Sequence, residues 1–122
     1  MLSLKNALVV ETNYLVATEV ETPLTQAGFR VVVAVDLREA RVAIDAMNFD
    51  IAIIDFRLQH GGPEGLVALL SANRVPYIFC TAASKQEVIE SFPGARVVQK
   101  PFGQDVLMWF VDEALSRPPL EG

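Results

Sequence analysis

Ile51-Ala52-Ile53-Ile54-Asp55-Phe56-Arg57-Leu58 is the stretch that decides the fold. Four apolar residues run straight into an acid. A continuous apolar run of this length, bounded by polar residues, reads as a strand buried on both faces, as in a parallel sheet. In open parallel sheets, ligands bind beyond the carboxyl ends of the strands. Asp55 therefore stands where a reactive group would stand. An acid in this position can equally do no more than cap the loop after the strand, and the segment alone leaves both readings open.

Working outward toward the N-terminus, Phe29 to Val35 is rich in β-branched residues and predicts a second strand. Asp36-Leu37-Arg38-Glu39 has capping-box spacing and opens a helix to about Met47, with Ala40, Ala43, Ile44 and Met47 inward. Further back, Ala7-Leu8-Val9-Val10 is a short strand ending at Glu11. Thr12 or Asn13 can cap the helix from Tyr14 to Ala27, whose apolar positions are Leu15, Val16, Val20 and Leu24. Gly28 ends it, and Pro23 inside it predicts a kink. Toward the C-terminus, Gln59 to Pro63 is a loop, with Pro63 as the first residue of a helix carrying Leu66, Leu69 and Leu70 on one face. Val75 to Cys80 predicts the fourth strand, and Ser84-Lys85-Gln86-Glu87 is a capping box for a short helix broken at Phe92-Pro93-Gly94. Arg96 to Gln99 is the fifth strand, Lys100-Pro101-Phe102 a turn, and Gly103 to Ser116 the last helix, with Leu107, Phe110, Val111 and Ala114 inward. Five strands alternating with five helices predict a single doubly wound α/β domain, because crossovers of this length join parallel strands.

The bulk numbers agree. At 122 residues and 52% hydrophobic, the chain can bury a full core without staples. Its single cysteine, Cys80, excludes a disulfide framework and reads as core packing. A net charge of −5 with no basic run argues against direct nucleic-acid binding. No apolar stretch approaches a membrane span, and the first residues lack a signal-peptide core, so the expectation is a cytoplasmic domain. Residues 1–117 are read as the domain and 118–122 as a linker or appended tail. His60, the one histidine, falls in a glycine-rich loop and is expected to be exposed and without function.

Parallel strands deliver their carboxyl ends to one edge. Here those ends are Glu11, Asp55, Thr81 and Lys100. Two carboxylates, a hydroxyl and an ammonium suit the handling of a phosphoryl group beside a divalent cation. Carboxylates hold Mg²⁺, Lys is a point charge for phosphate oxygens, a Thr hydroxyl can donate to one, and an Asp can itself become the nucleophile.

Leu8-Val9-Val10-Glu11, Ile53-Ile54-Asp55, Cys80-Thr81-Ala82 and Lys100-Pro101-Phe102 appear in the order of another set of motifs. Over residues 5–116 the chain resembles the response regulator receiver domains of two-component signalling. The resemblance implies a flavodoxin-like sheet of order 2-1-3-4-5 and Mg²⁺-dependent transfer of phosphate from a histidine kinase or phosphotransfer protein to Asp55. It implies that Thr81 and Lys100 bind the phosphoryl oxygens, and that Glu11, Asp55 and the Arg57 carbonyl serve the metal. It implies a cis Lys100–Pro101 bond and an output surface on the fourth helix, fifth strand and fifth helix. That surface would be read by a downstream partner or effector, with room for a homodimer. Such a domain is a signalling module and not an enzyme.

Three positions depart from the family pattern. Thr12 replaces a second acid that is a direct metal ligand, which predicts weak Mg²⁺ binding, with the Arg57 side chain a candidate to lean in and partly replace the ion. Val97 replaces a switching aromatic, which shifts the expected activation movement to the backbone of Thr81–Ser84. Leu58-Gln59-His60-Gly61-Gly62 replaces the common Met-Pro after the acceptor. The rival reading is a degenerate receiver that binds partners without phosphorylation; Thr12 and Val97 favour it, whereas Asp55, Thr81 and Lys100 together favour the phosphoacceptor. A flavin or nucleotide enzyme on the same fold would want a glycine-rich loop after the first strand, and none follows it.

Overall fold

Strand β1 (Asn6–Val10) opens the described fold, followed by α1 (Tyr14–Gln26), β2 (Arg30–Ala34), α2 (Leu37–Ala46), β3 (Ile51–Ile54), which lies at the centre of the five strands, α3 (Glu64–Ala72), β4 (Tyr77–Thr81), α4 (Lys85–Ser91), β5 (Val97–Gln99) and α5 (Gln104–Ser116). The structure is a computed structural model that describes residues 4–58 and 62–116. All four strand pairings are parallel, in the order β2-β1-β3-β4-β5. This is the doubly wound, flavodoxin-like architecture expected from the alternation of elements.

Period-two alternation along each strand splits the core in two. Leu8, Val10, Ala52, Ile54, Phe79 and Val97 face one side, where Ala40, Ile44, Leu66, Leu70 and Val88 cover them from α2, α3 and α4. Ala7, Val9, Ile51, Ile53, Ile78, Cys80 and Val98 face the other, under Ala17, Val20 and Leu24 of α1 and Leu107, Val111 and Ala114 of α5. Every residue of β3 is buried. That is why its sequence carries no alternation of polar and apolar residues.

Local signals set most boundaries. Asn13 caps α1, its side chain accepting from the Leu15 and Val16 N–H groups. Gly28 follows the helix at φ +96°, a conformation that side-chain-bearing residues avoid. One helix spans Pro23, which is buried. Asp36 accepts from Glu39 N–H, but the Glu39 carboxylate reaches back to Val35 N–H and not to the cap itself. β4 starts at Tyr77, two residues later than expected; Pro76 accepts from Ala52 N–H but has no N–H to donate.

Two expectations need correction. Leu15 is not inward but 71% exposed, because the buried stripe of α1 runs through Ala17, Val20 and Leu24 and position 15 lies on the opposite face. Pro63 is the cap residue of α3, one position outside the helix. The expectations for His60 and for residues 118–122 lie outside the described residues. Among the described residues, no helix is long and apolar enough to cross a membrane.

Candidate functional site

The order of the strands creates the site. The chain leaves β1 toward β2 on one side and returns across the sheet to β3 on the other, so a crevice opens beyond the carboxyl ends of β1 and β3. Val10 and Ile54 are paired in register. The next residues, Glu11 and Asp55, therefore leave the sheet side by side, and Asp55 N–H closes the ladder on the Val10 carbonyl at 3.0 Å. On the other flank Thr81 pairs with Gln99, and Lys100 N–H donates to the Thr81 carbonyl at 2.9 Å. The Lys100–Pro101 peptide bond is cis, as the family resemblance implies.

Lys100 joins the two acids. Its Nζ lies 2.7 Å from Glu11 Oε1 and 3.4 Å from Asp55 Oδ2. Each carboxylate uses its remaining oxygen locally: Glu11 Oε2 accepts from Asn13 N–H at 3.0 Å, and Asp55 Oδ1 accepts from Arg57 N–H at 3.1 Å. Asp55 thus caps its loop and faces the crevice at once, so the two readings of that residue are not exclusive. Glu11 is 5% exposed, Asp55 9% and Thr81 not at all. Burial alone would lower the Lys100 pKa, but the hydrogen bond it donates to Glu11 and the charges of Asp55 and Glu11 outweigh it and hold the ammonium above its ordinary value. Cys80, beneath the site on β4, is 2% exposed. Burial pushes its thiol up to about 12, more than the nearby Lys100 charge offsets.

The remaining candidates are placed differently. The Thr12 hydroxyl is directed away, toward the Val35 carbonyl at 3.4 Å. The Arg57 guanidinium does not lean into the crevice; it pairs at 3.0 Å with Glu87 Oε1 in the first turn of α4. An exposed carboxylate on α4 captures it. Ser84 caps that helix by accepting from Glu87 N–H at 3.1 Å, while the Glu87 side chain is engaged elsewhere, so the capping box is only half formed. Sequence reasoning missed Gln99, whose amide donates to the Ala83 carbonyl at 2.5 Å. Its signal was available: alternation along β5 puts Gln99 on the face of Val97, the face that α4 covers.

Glu11 and Asp55 supply hard oxygen donors, the chemistry a magnesium ion takes, and such ions are often held by only one or two carboxylates with several waters. Each carboxylate oxygen already accepts one hydrogen bond and keeps a lone pair in reserve. Among the described residues no group of three His, Cys, Asp or Glu side chains is placed to hold a metal. The donor set fits a sparse, water-rich magnesium site and no richer one.

A family model for the response regulator receiver domain matches residues 7–112. No curated protein matches the chain at a significant level. Among solved structures, the receiver domain of the Francisella response regulator 1452 is 26% identical, with 93% of this chain and 98% of that one covered and a TM-score of 0.79. The non-phosphorylated HemR receiver domain from Leptospira biflexa is 25% identical over 97% of this chain and 99% of its own, at a TM-score of 0.80. The receiver domain of the sensor histidine kinase PA1611 from Pseudomonas aeruginosa, solved with magnesium in its active-site cleft, is 24% identical over 94% and 100%, at a TM-score of 0.82.

Proposed function

The chain belongs to the response regulator receiver domain family, and on that premise we propose that residues 1–117 form a phosphoaccepting signalling module with Asp55 as the acceptor. The observation that carries this reading is the single ammonium of Lys100 held between the Glu11 and Asp55 carboxylates at the mouth of the sheet. A cation on the acceptor's outer oxygen sits where incoming phosphoryl charge needs compensation. One Asp55 oxygen forms the bond to phosphorus as the P–N bond of a phosphohistidine donor breaks, and the donor imidazole keeps the electron pair. Lys100 then neutralises part of the charge on the phosphoryl oxygens, and the Thr81 hydroxyl donates to another. Magnesium, held by Asp55, the Arg57 carbonyl and Glu11 through water, would supply further charge neutralisation. With Thr12 turned to Val35, this site lacks a third ligand side chain and binds the ion weakly.

The donor is a histidine kinase or phosphotransfer protein, and the product is a changed surface for a downstream partner; the module is not an enzyme in its own right. The second reading, a degenerate receiver that binds its partner without phosphorylation, draws support from Thr12 and from Val97, which is packed as an ordinary core residue. Incubation with acetyl phosphate and Mg²⁺ followed by intact mass separates the two. The expected result is one added phosphate on wild type and none on Asp55→Asn. Equal labelling of both proteins, or none on wild type, overturns the phosphoacceptor reading.

A further inference from the structure

The loop between β4 and α4 is held at Ala83 from both sides. Ala83 N–H donates to Thr81 Oγ1 at 3.2 Å, and the Ala83 carbonyl accepts from Gln99 Nε2. Ala83 is fully buried, as is Thr81, and Ser84, the cap of α4, comes next. Gln99 is the residue before Lys100, whose N–H is bonded to the Thr81 carbonyl. The side-chain amide of β5 therefore closes a short circuit from Lys100 through Ala83 to the Thr81 hydroxyl and the start of α4. A hydroxyl that accepts from Ala83 N–H keeps its single proton for another acceptor, and fixing the Ala83 peptide fixes the oxygen that carries it. Val97, the other β5 side chain on this face, is buried and offers no polar atom. The polar connection between β5 and this loop falls to Gln99.

We propose that Gln99 is a positioning residue for the phosphoryl site: by holding the Ala83 carbonyl it sets the Thr81 hydroxyl, and it carries the occupied or empty state of Asp55 to α4. The inference rests on the phosphoacceptor reading. In this chain a hydrogen bond of a side-chain amide takes the connecting role for which Val97 has no group. Movement of the Ala83 peptide toward a phosphoryl oxygen on Asp55 alters or breaks the Gln99 bond, and β5 and α4 register it together.

The test uses the whole chain, acetyl phosphate and Mg²⁺, with Gln99→Met (same length, no hydrogen bond), Gln99→Glu (an acceptor facing the Ala83 carbonyl) and Gln99→Lys (a donor of similar reach). Phosphate uptake is followed by intact mass and backbone amides by NMR. Gln99→Met and Gln99→Glu should take up phosphate about threefold to tenfold more slowly, the span of one hydrogen bond. Their phosphate-induced amide shifts in Lys85–Ser91 should shrink, and Gln99→Lys should recover both. Wild-type rates and shifts in Gln99→Met and Gln99→Glu, or no recovery in Gln99→Lys, overturn the proposal. If wild type takes no phosphate, the phosphoacceptor reading falls instead. Amide exchange at Ala83 and Ser84 in unphosphorylated wild type and Gln99→Met then decides the tether by itself, with equal exchange counting against it.

Discussion

Lys100 is a cation shared unequally between two buried acids, and that inequality sets what its loss would do. The 2.7 Å contact to Glu11 is a strong charge-assisted bond, whereas 3.4 Å to Asp55 leaves that carboxylate loosely held. Replacing Lys100 with Met leaves both carboxylates facing each other without a counter-charge. A cost of about 2–3 kcal/mol is expected in urea unfolding at pH 7, below the figure for a fully buried pair because the crevice is open to water. Asp55→Asn in the Lys100→Met background should return part of it. The pH dependence follows from the sign of the shift. The Lys100 pKa is raised on folding, so its contribution is complete below the ordinary value of 10.5 and is lost as pH rises through the higher folded value. The gap between wild type and Lys100→Met should therefore hold steady through neutral pH and close in strong alkali; a gap that closes below pH 9 would contradict this. Thr12 is the second informative residue. Its hydroxyl is spent on the Val35 carbonyl, so Thr12→Asp adds a third anion near the crevice. Tighter Mg²⁺ binding and faster phosphate uptake are expected, with affinity read by calorimetry. Equal affinity in the two proteins would show that position 12 has no bearing on the metal.

At the scale of elements, the first turn of α4 is tied to the loop after Asp55 through Arg57 and Glu87. Both side chains are largely exposed, and such pairs contribute between nothing and about 1 kcal/mol. Glu87→Gln should leave the unfolding midpoint nearly unchanged, while backbone amide exchange in α4 rises; a loss above about 2 kcal/mol would mean the pair does more than a surface contact can. This pair also marks the limit of what the residues disclosed by themselves. The β3 run and Lys100-Pro101 place the acid and the ammonium on one edge because burial and chain direction act over a few neighbours. Capping by Asn13, Asp36 and Ser84 is equally local. Arg57 and Glu87 are 30 positions apart, and no propensity links them. The spacing of Leu15 looked helical, yet two residues along a helix is half a turn, and the small Ala17 took the inward place. Gln99 was legible only once the α4 face of β5 was known.

Across the whole molecule, the two sheet faces meet the site unequally. The face under α2, α3 and α4 holds a ring cluster in which Phe56, directly after Asp55, contacts Phe79 at 5.6 Å and Phe92 at 6.2 Å. The face under α1 and α5 holds the sulfur of Cys80. That lone thiol has a use unconnected with phosphate. The thiolate is the form that reacts, and burial pushes the Cys80 thiol up to about 12, so it stays protonated at pH 8 behind a closed sheet. Alkylation by a maleimide can proceed only when β4 is uncovered, so every labelled molecule is one that has opened. The chain carries its own clock for opening, with one readable event per molecule and no engineered probe. Labelling in native buffer should be slow and should accelerate with urea in step with the open population. Reaction without urea as fast as that of an unstructured thiol peptide would mean that the sheet around Cys80 breathes freely. Any ligand or modification that stabilises the closed form should lengthen the labelling time by the factor it adds to the folding equilibrium.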